Sequence, residues 1–240
     1  MNARFLSAGD SALVVELGDR IDRTLSDNVL RLNATIRSEA LSGVVETVPT
    51  FRSVMVYYDP RVTTRAKLEQ GIKGLLDREH SPRSTSRLWR VPVCYQDEFA
   101  PDRAEVARLT GLTPDKVVAL HSGTQFHVYM LGFLPGFPYM GDLPKDLALP
   151  RRADPRLRVP AGSIAIATSL TAIYPYESPG GWHLIGATPI RLFDAERPRP
   201  ALFAAGDAVV FQPIDADRFA SIRQAVESHT YELESTPVPG

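Results

Sequence analysis

Residues 125–144 read QFHVYMLGFLPGFPYMGDLP, an apolar run broken by closely spaced glycines and prolines. A chain that bends at Gly132, Pro135, Gly136 and Pro138 cannot continue as helix, because proline lacks the amide donor and glycine loses the most entropy on being fixed. The pattern persists downstream. Short apolar runs recur at GSIAIA (162–167), TAIYP (171–175), WHLIG (182–186), PIRLF (189–193) and AVVFQPI (208–214), spaced by turn residues as in an all-β barrel or sandwich. Residues 132–189 hold nine of the twenty prolines and seven of the sixteen glycines, yet they also carry Trp182, three tyrosines and many aliphatic residues. Disordered segments lack such side chains, so the composition predicts an ordered, turn-dense region.

Upstream the pattern changes. SALVVEL (11–17) reads as a strand, and residues 22–40 place Leu25, Val29, Leu32 and Ile36 on one helical stripe. VVETVP (44–49) and SVMVYYD (53–59) are two further strands, and Thr63 or Thr64 caps a helix that buries Leu68, Ile72, Leu75 and Leu76. A polar stretch, SPRSTSR (81–87), reads as a linker before the strand LWRVPVCY (88–95). The order strand, helix, strand, strand, helix, strand is the split unit of ferredoxin-like folds. Two short helices follow in 101–122, the second opened by Thr113 and Pro114 and closed by Gly123, with His121 as a C-terminal cap. A last helix, 217–227, spaces Phe219, Ile222 and Val226 by three and four. The expected fold is α+β: a ferredoxin-like α/β domain over 1–85 and a β-rich domain with short helices over 86–240.

Composition narrows the function. The chain has 240 residues, 27 basic against 28 acidic, and a net charge of -1, so it has no global field for a polyanion and nucleic acid is not an expected partner. No apolar run approaches the ~20 residues that cross a bilayer, and the first twelve residues lack the basic, apolar, small-residue order of a signal. A cytoplasmic location without membrane contact is expected. The single cysteine, Cys94, excludes an intrachain disulfide and a cysteine metal cage, and its apolar neighbours predict a buried thiol. There is no glycine loop followed by Lys and Ser or Thr, no dinucleotide fingerprint, no His-Glu-x-x-His helix and no Gly-x-Ser-x-Gly elbow. If a chain of this kind serves catalysis, it supplies part of a site, and no metal is expected.

The candidate site residues lie in the proline-rich half. Phe133, Phe137 and Tyr139 sit among bends where their rings can line an apolar wall, and Phe133, Phe137 and Tyr174 are expected to wall a pocket. Arg151, Arg152, Arg156 and Arg158 fall within eight residues, and the guanidinium fork suits a carboxylate or phosphate. Ser163 opens an apolar run as a hydrogen-bonding residue, Gly180 and Gly181 precede Trp182 where backbone N–H groups can hold an oxyanion, and Thr188 follows the next run. His127 shares a strand face with Tyr129, Leu131 and Phe133 by the period of two, and its ordinary pKa suits acid–base work.

These blocks, with AAGDAVVFQPID (204–215), GDSALVVELGDRID (9–22), VPTFRSVMVYYDP (48–60) and VPVCY (91–95), resemble the family that contains the PxpB-type component of 5-oxoprolinase, the KipI inhibitors of histidine kinases and allophanate hydrolase subunit 1. The resemblance spans nearly the whole chain. It implies a C-terminal cyclophilin-like β barrel and ATP-dependent opening of 5-oxoproline to glutamate. The activity would belong to a complex with a carboxyltransferase-like (PxpC-type) partner and a PxpA-type subunit, this chain being inactive alone. ATP would be used by the complex, and the ligand of this chain would be a small anionic or amide substrate. The alternatives it implies are inhibition of a sensor histidine kinase and an allophanate or urea-amidolyase role. Leu170 and Ala187 stand where the family usually has glutamine and arginine.

Overall fold

The computed structural model describes residues 3–76 and 86–238, so the linker read at 81–87 lies, up to residue 85, outside the described residues. Contacts divide the chain into two compact units, one ending at Ser86 and one spanning Arg87–Val238.

In the first unit, strands β1 (Arg4–Ser7), β2 (Ala12–Glu16), β3 (Val44–Pro49) and β4 (Ser53–Tyr58) form an antiparallel sheet in the order β1-β2-β4-β3, with helices α1 (Arg23–Ser38) and α2 (Arg65–Leu76). Asp22 caps α1 by accepting the Leu25 N–H at 3.0 Å, and Val29, Leu32 and Ile36 are buried on the stripe that the sequence predicts. Thr64 caps α2, whose Leu68, Ile72, Leu75 and Leu76 are all buried against the sheet core. The arrangement is ferredoxin-like, with one difference from the sequence reading. The fourth strand of the sheet is β1, which the sequence does not announce, held to β2 partly by Arg4 on Glu16. LWRVPVCY does not return to this sheet. Its last residues Val91, Val93 and Cys94 are fully buried, and a strand buried on both faces needs cover that a small sheet edge does not offer.

That strand, β5 (Ser86–Cys94), belongs to the second unit. There the strands β6 (Gln125–Leu131), β7 (Pro138–Gly141), β9 (Ser163–Ala167), β10 (Leu170–Ile173), β12 (His183–Ala187) and β13 (Ala208–Ile214) join it in a closed seven-stranded barrel, the cyclophilin-like architecture expected. The strands run around the barrel as β5-β13-β6-β7-β10-β9-β12 and back to β5, with β5 parallel to β13 and every other pairing antiparallel. β14 (Ser235–Val238) extends β5 on the outside, and β8 (Arg156–Val159) pairs with β11 (Ser178–Gly180) in a separate ribbon. Helices α3 (Arg103–Thr110), α4 (Pro114–Ser122) and α5 (Ala216–Glu227) complete the unit. Thr113 and Asp215 cap α4 and α5 with their side chains.

Closure depends on Gly186. A Cβ there would stand 2.9 Å from Val93 Cγ1 and 3.1 Å from the Cys94 carbonyl oxygen, so only hydrogen lets β12 approach β5, where Ala187 pairs with Cys94. Ala187, one of the two positions noted above as departing from the resemblance, thus lies at the closure of the barrel. Leu170 is likewise buried, at the start of β10 opposite Ala167.

His121 is not a cap. It is fully buried, stacked on Phe211 with centroids 4.6 Å apart, and bonded through both nitrogens. Thr171 Oγ1 donates to the Ala165 carbonyl at 3.1 Å, so it accepts from His121 Nε2 at 3.0 Å, and His121 Nδ1 accepts the Tyr95 hydroxyl at 2.8 Å. Burial pushes the His121 pKa down from 6.5 to about 3 and pushes that of Tyr95 up. The position at a helix end suits a cap, but the barrel interior claims the ring.

Two outcomes follow from this packing. As pH falls below 6.5 the unfolded chain takes up the histidine proton first, so stability is complete above pH 6.5 and declines toward pH 3. At pH 5 the His121 contribution is a loss of about 2 kcal/mol in urea denaturation, and His121→Gln removes that part of the slope. Gly186→Ala lowers unfolding free energy by about 1–3 kcal/mol, the cost of overpacking a filled interface.

Candidate functional site

The loop between Leu147 and β8 carries Arg151 and Arg152, β8 carries Arg156 and Arg158, and β11 leads through Gly180, Gly181 and Trp182 into β12. What organises them is Asp102. It immediately precedes α3, where an aspartate normally caps the helix, yet its carboxylate makes no cap bond. Instead Oδ1 accepts from Arg152 Nη1 at 3.1 Å and from Arg156 Nη2 at 2.6 Å, and Oδ2 accepts from the Leu184 N–H at 2.7 Å. The Leu184 carbonyl accepts the Asp102 N–H at 2.9 Å, which fastens the helix start to β12. Only 5% of the Asp102 side chain is exposed. Sequence reasoning misses this residue, because its only local signal, an acid before a helix, is that of an ordinary cap.

The four arginines therefore differ. Arg152 and Arg156 are committed to Asp102, and Arg158 faces Glu177 at 3.7 Å on the open surface. Arg151 is exposed and has no ion pair among the described residues; its guanidinium lies over the Trp182 ring, 6.0 Å from the centroid.

Four aromatic residues meet around Phe137, whose centroid is 5.4 Å from that of Phe133, 4.9 Å from Tyr139, 5.1 Å from Tyr174 and 6.4 Å from Trp182. Phe137, Tyr174 and Trp182 are buried in one another's contacts, Tyr139 is half-buried, and Phe133 is 62% exposed at a positive φ of 68°. Such a φ is strained for an aromatic residue, and here it turns the ring outward at the tip of the β6–β7 connection. Burial raises the Tyr139 hydroxyl above its usual pKa and carries Tyr174 up to about 12, with Arg151 opposing both, so both phenols are protonated donors at neutral pH. Gly180 leaves room for the Tyr174 hydroxyl, with which a Cβ there would collide. Gly181 holds the loop, its carbonyl accepting the Arg152 N–H at 2.8 Å.

The remaining candidates lie elsewhere in the barrel. His127 is buried in the wall, opposite Gly141 and Ala208 and edge-on to Tyr129 at 4.7 Å. A register shift between Val128 and Met130 interrupts the period of two, so the face predicted to join His127 to Phe133 is not continuous. Ser163 and Thr188 are buried at the strand ends, Ser163 opposite Ala187, while Thr188 Oγ1 accepts the Ile190 N–H at 3.3 Å.

Beside the arginine loop, Glu105, Leu109, Leu149, Arg151, Arg152 and His183 line a cleft of about 380 Å³. Arg152 Nε, Arg156 Nη1 and His183 Nδ1 are buried without a hydrogen-bond partner among the described residues. Each such group costs about 1–3 kcal/mol, a cost that a ligand or a water can offset. Among the described residues no three His, Cys, Asp or Glu side chains converge as metal ligands would.

Residues 3–203 match the carboxyltransferase domain family, subdomain C and D. The chain belongs to that family. It is 36% identical to the 5-oxoprolinase B subunit of Bacillus subtilis over 95% of both chains. The solved structure of TTHA0988 superposes with a TM-score of 0.76 at 34% identity over 85% of this chain, which spans 40% of that longer protein. The urea amidolyase of K. lactis shares the fold, with a TM-score of 0.80 at 19% identity over 98% of this chain and 16% of that one. The same fold thus occurs both in a relative of nearly equal length and inside larger chains.

Asp102→Asn tests the anchor of the site. It leaves two guanidiniums about a quarter exposed and uncompensated, and unfolding free energy in urea falls by about 2–4 kcal/mol, somewhat less than for a fully buried pair.

Proposed function

We propose that this chain is the barrel-bearing subunit of an ATP-dependent 5-oxoprolinase, which opens 5-oxo-L-proline to L-glutamate in the cytoplasm. In this reading it acts with a carboxyltransferase-like (PxpC-type) partner and a PxpA-type subunit, and does not turn over alone. The name carried by the B. subtilis relative, across almost the whole of both chains, supports the reaction. The observation in this chain that carries the reading is Arg151, a guanidinium held above an aromatic ring with no ion pair among the described residues, while Asp102 holds the chain just after it through Arg152 and Arg156. A small lactam acid presents a carboxylate for such a group and an apolar ring edge for the surface beside it.

ATP does not fit the residues described. No glycine-rich phosphate loop is legible in the chain, and the cleft beside Arg151 also carries Glu105 and Asp154, which oppose a polyphosphate. The role proposed for this chain is accordingly to bind and orient the acid. Arg151 holds the carboxylate, and the fixed backbone from Gly181 to Leu184 keeps the loop in place while the lactam carbonyl is presented to the partner's chemistry.

The test is reconstitution with both partners. ATP-dependent release of glutamate from 5-oxo-L-proline is expected, and a complex that forms but releases none sinks the proposal. Arg151→Gln in the same complex is expected to reduce kcat/KM by about tenfold or more, chiefly through KM, with the unfolding midpoint unchanged.

A further inference from the structure

The cleft beside the arginine loop has a hydrogen-bonding polarity that its walls dictate. The Pro150 carbonyl can only accept, so the His183 ring nitrogen 3.0 Å from it, Nε2, carries the proton. In the neutral ring Nδ1 is then an acceptor, buried and without a partner among the described residues. Arg152 Nε is the converse, a buried donor without a partner among them, and Arg151 adds a guanidinium with no ion pair among the described residues. Leu109, 45% exposed, and Leu149 supply apolar wall.

A ligand that completes this set carries an anionic group for Arg151 and Arg152, an N–H for His183 Nδ1, and an apolar edge. Glu105 and Asp154 on the same cleft disfavour more than one negative charge. We infer that the cleft is a recognition site for a small monocarboxylate with an N–H beside the carboxylate-bearing carbon, in which Arg151 binds the carboxylate and His183 reads the N–H. His183 follows Trp182 directly, so the residue that packs in the aromatic cluster and the residue that reads the ligand are neighbours in the chain. The choice of a lactam acid as the occupant rests on the function proposed above, while the polarity of the cleft does not.

The experiment is titration of the full chain with 5-oxo-L-proline and with its N-methyl derivative, followed by NMR of the histidine ring protons and by calorimetry. Saturable binding of 5-oxo-L-proline is expected, with a shift of the His183 resonance. N-methylation of the ligand, or Arg151→Gln in the protein, is expected to weaken binding by about tenfold or more. In His183→Phe, whose fold is checked by the remaining histidine resonances, the preference for the N–H ligand over the N-methyl one disappears. No saturable binding up to about 10 mM, equal binding of both ligands, or affinity indifferent to Arg151 overturns the inference. Binding in the cleft with no glutamate release by the complex would remove the proposed reaction and leave the recognition site standing. Glutamate release with no effect of N-methylation would do the reverse.

Discussion

A carboxylate removed from water must find its compensation inside the protein, and Asp102 finds it in two arginines and a strand amide. Because the arginines come from the loop and from β8, and the amide from β12, one buried charge connects the start of α3 to three other segments. None of these segments is rigid by its own composition. The loop before β8 has no regular secondary structure of its own, and the β8–β11 ribbon is too short to be stable alone. Surrounding that charge is what holds them together. The position of Arg151, which has no such partner among the described residues, follows from its neighbour Arg152 being held.

The barrel supplies the surroundings in which this matters. Its closure places β12 against β5, through the absence of a side chain at Gly186, and so fixes the strand that carries His183 and Leu184, with Trp182 just before it, at the edge of the site. The interior is dry enough to hold His121 neutral between Tyr95 and Thr171. Cys94 is buried too, and burial raises its thiol pKa, which disfavours the reactive thiolate. The interior is therefore packed for stability. Three of the buried groups without a hydrogen-bond partner among the described residues, on Arg152, Arg156 and His183, lie on or beside the arginine loop.

Much of this is legible in the sequence. The helices α1, α2, α4 and α5 follow from apolar stripes and capping residues, which act within a turn or two and need no distant partner. Phe137, Tyr139, Tyr174 and Trp182 stand out in the sequence as rings among bends, and in the structure the rings meet. The pattern does not show that three of them are buried in each other, since core filling and pocket lining draw on the same residue types. His121 and His127 escape the sequence for a related reason: a histidine's neighbours along the chain do not say which barrel strands lie beside its ring. Strand β1 escapes it because four residues carry too little periodicity to register.

The sequence alone thus determined the class of fold, the change from α/β to β-rich organisation near residue 86 and the near-zero net charge. Those properties reside in composition and in short-range spacing, which each segment carries with it. Only the tertiary structure decided that β5 leaves the first sheet for the barrel, that Asp102 rather than solvent claims Arg152 and Arg156, and that Arg151 and His183 are left to face a cleft. Each of these is a pairing between residues tens of positions apart. Which arginine remains available is settled by where a buried carboxylate ends up, and that is a property of the closed barrel as a whole.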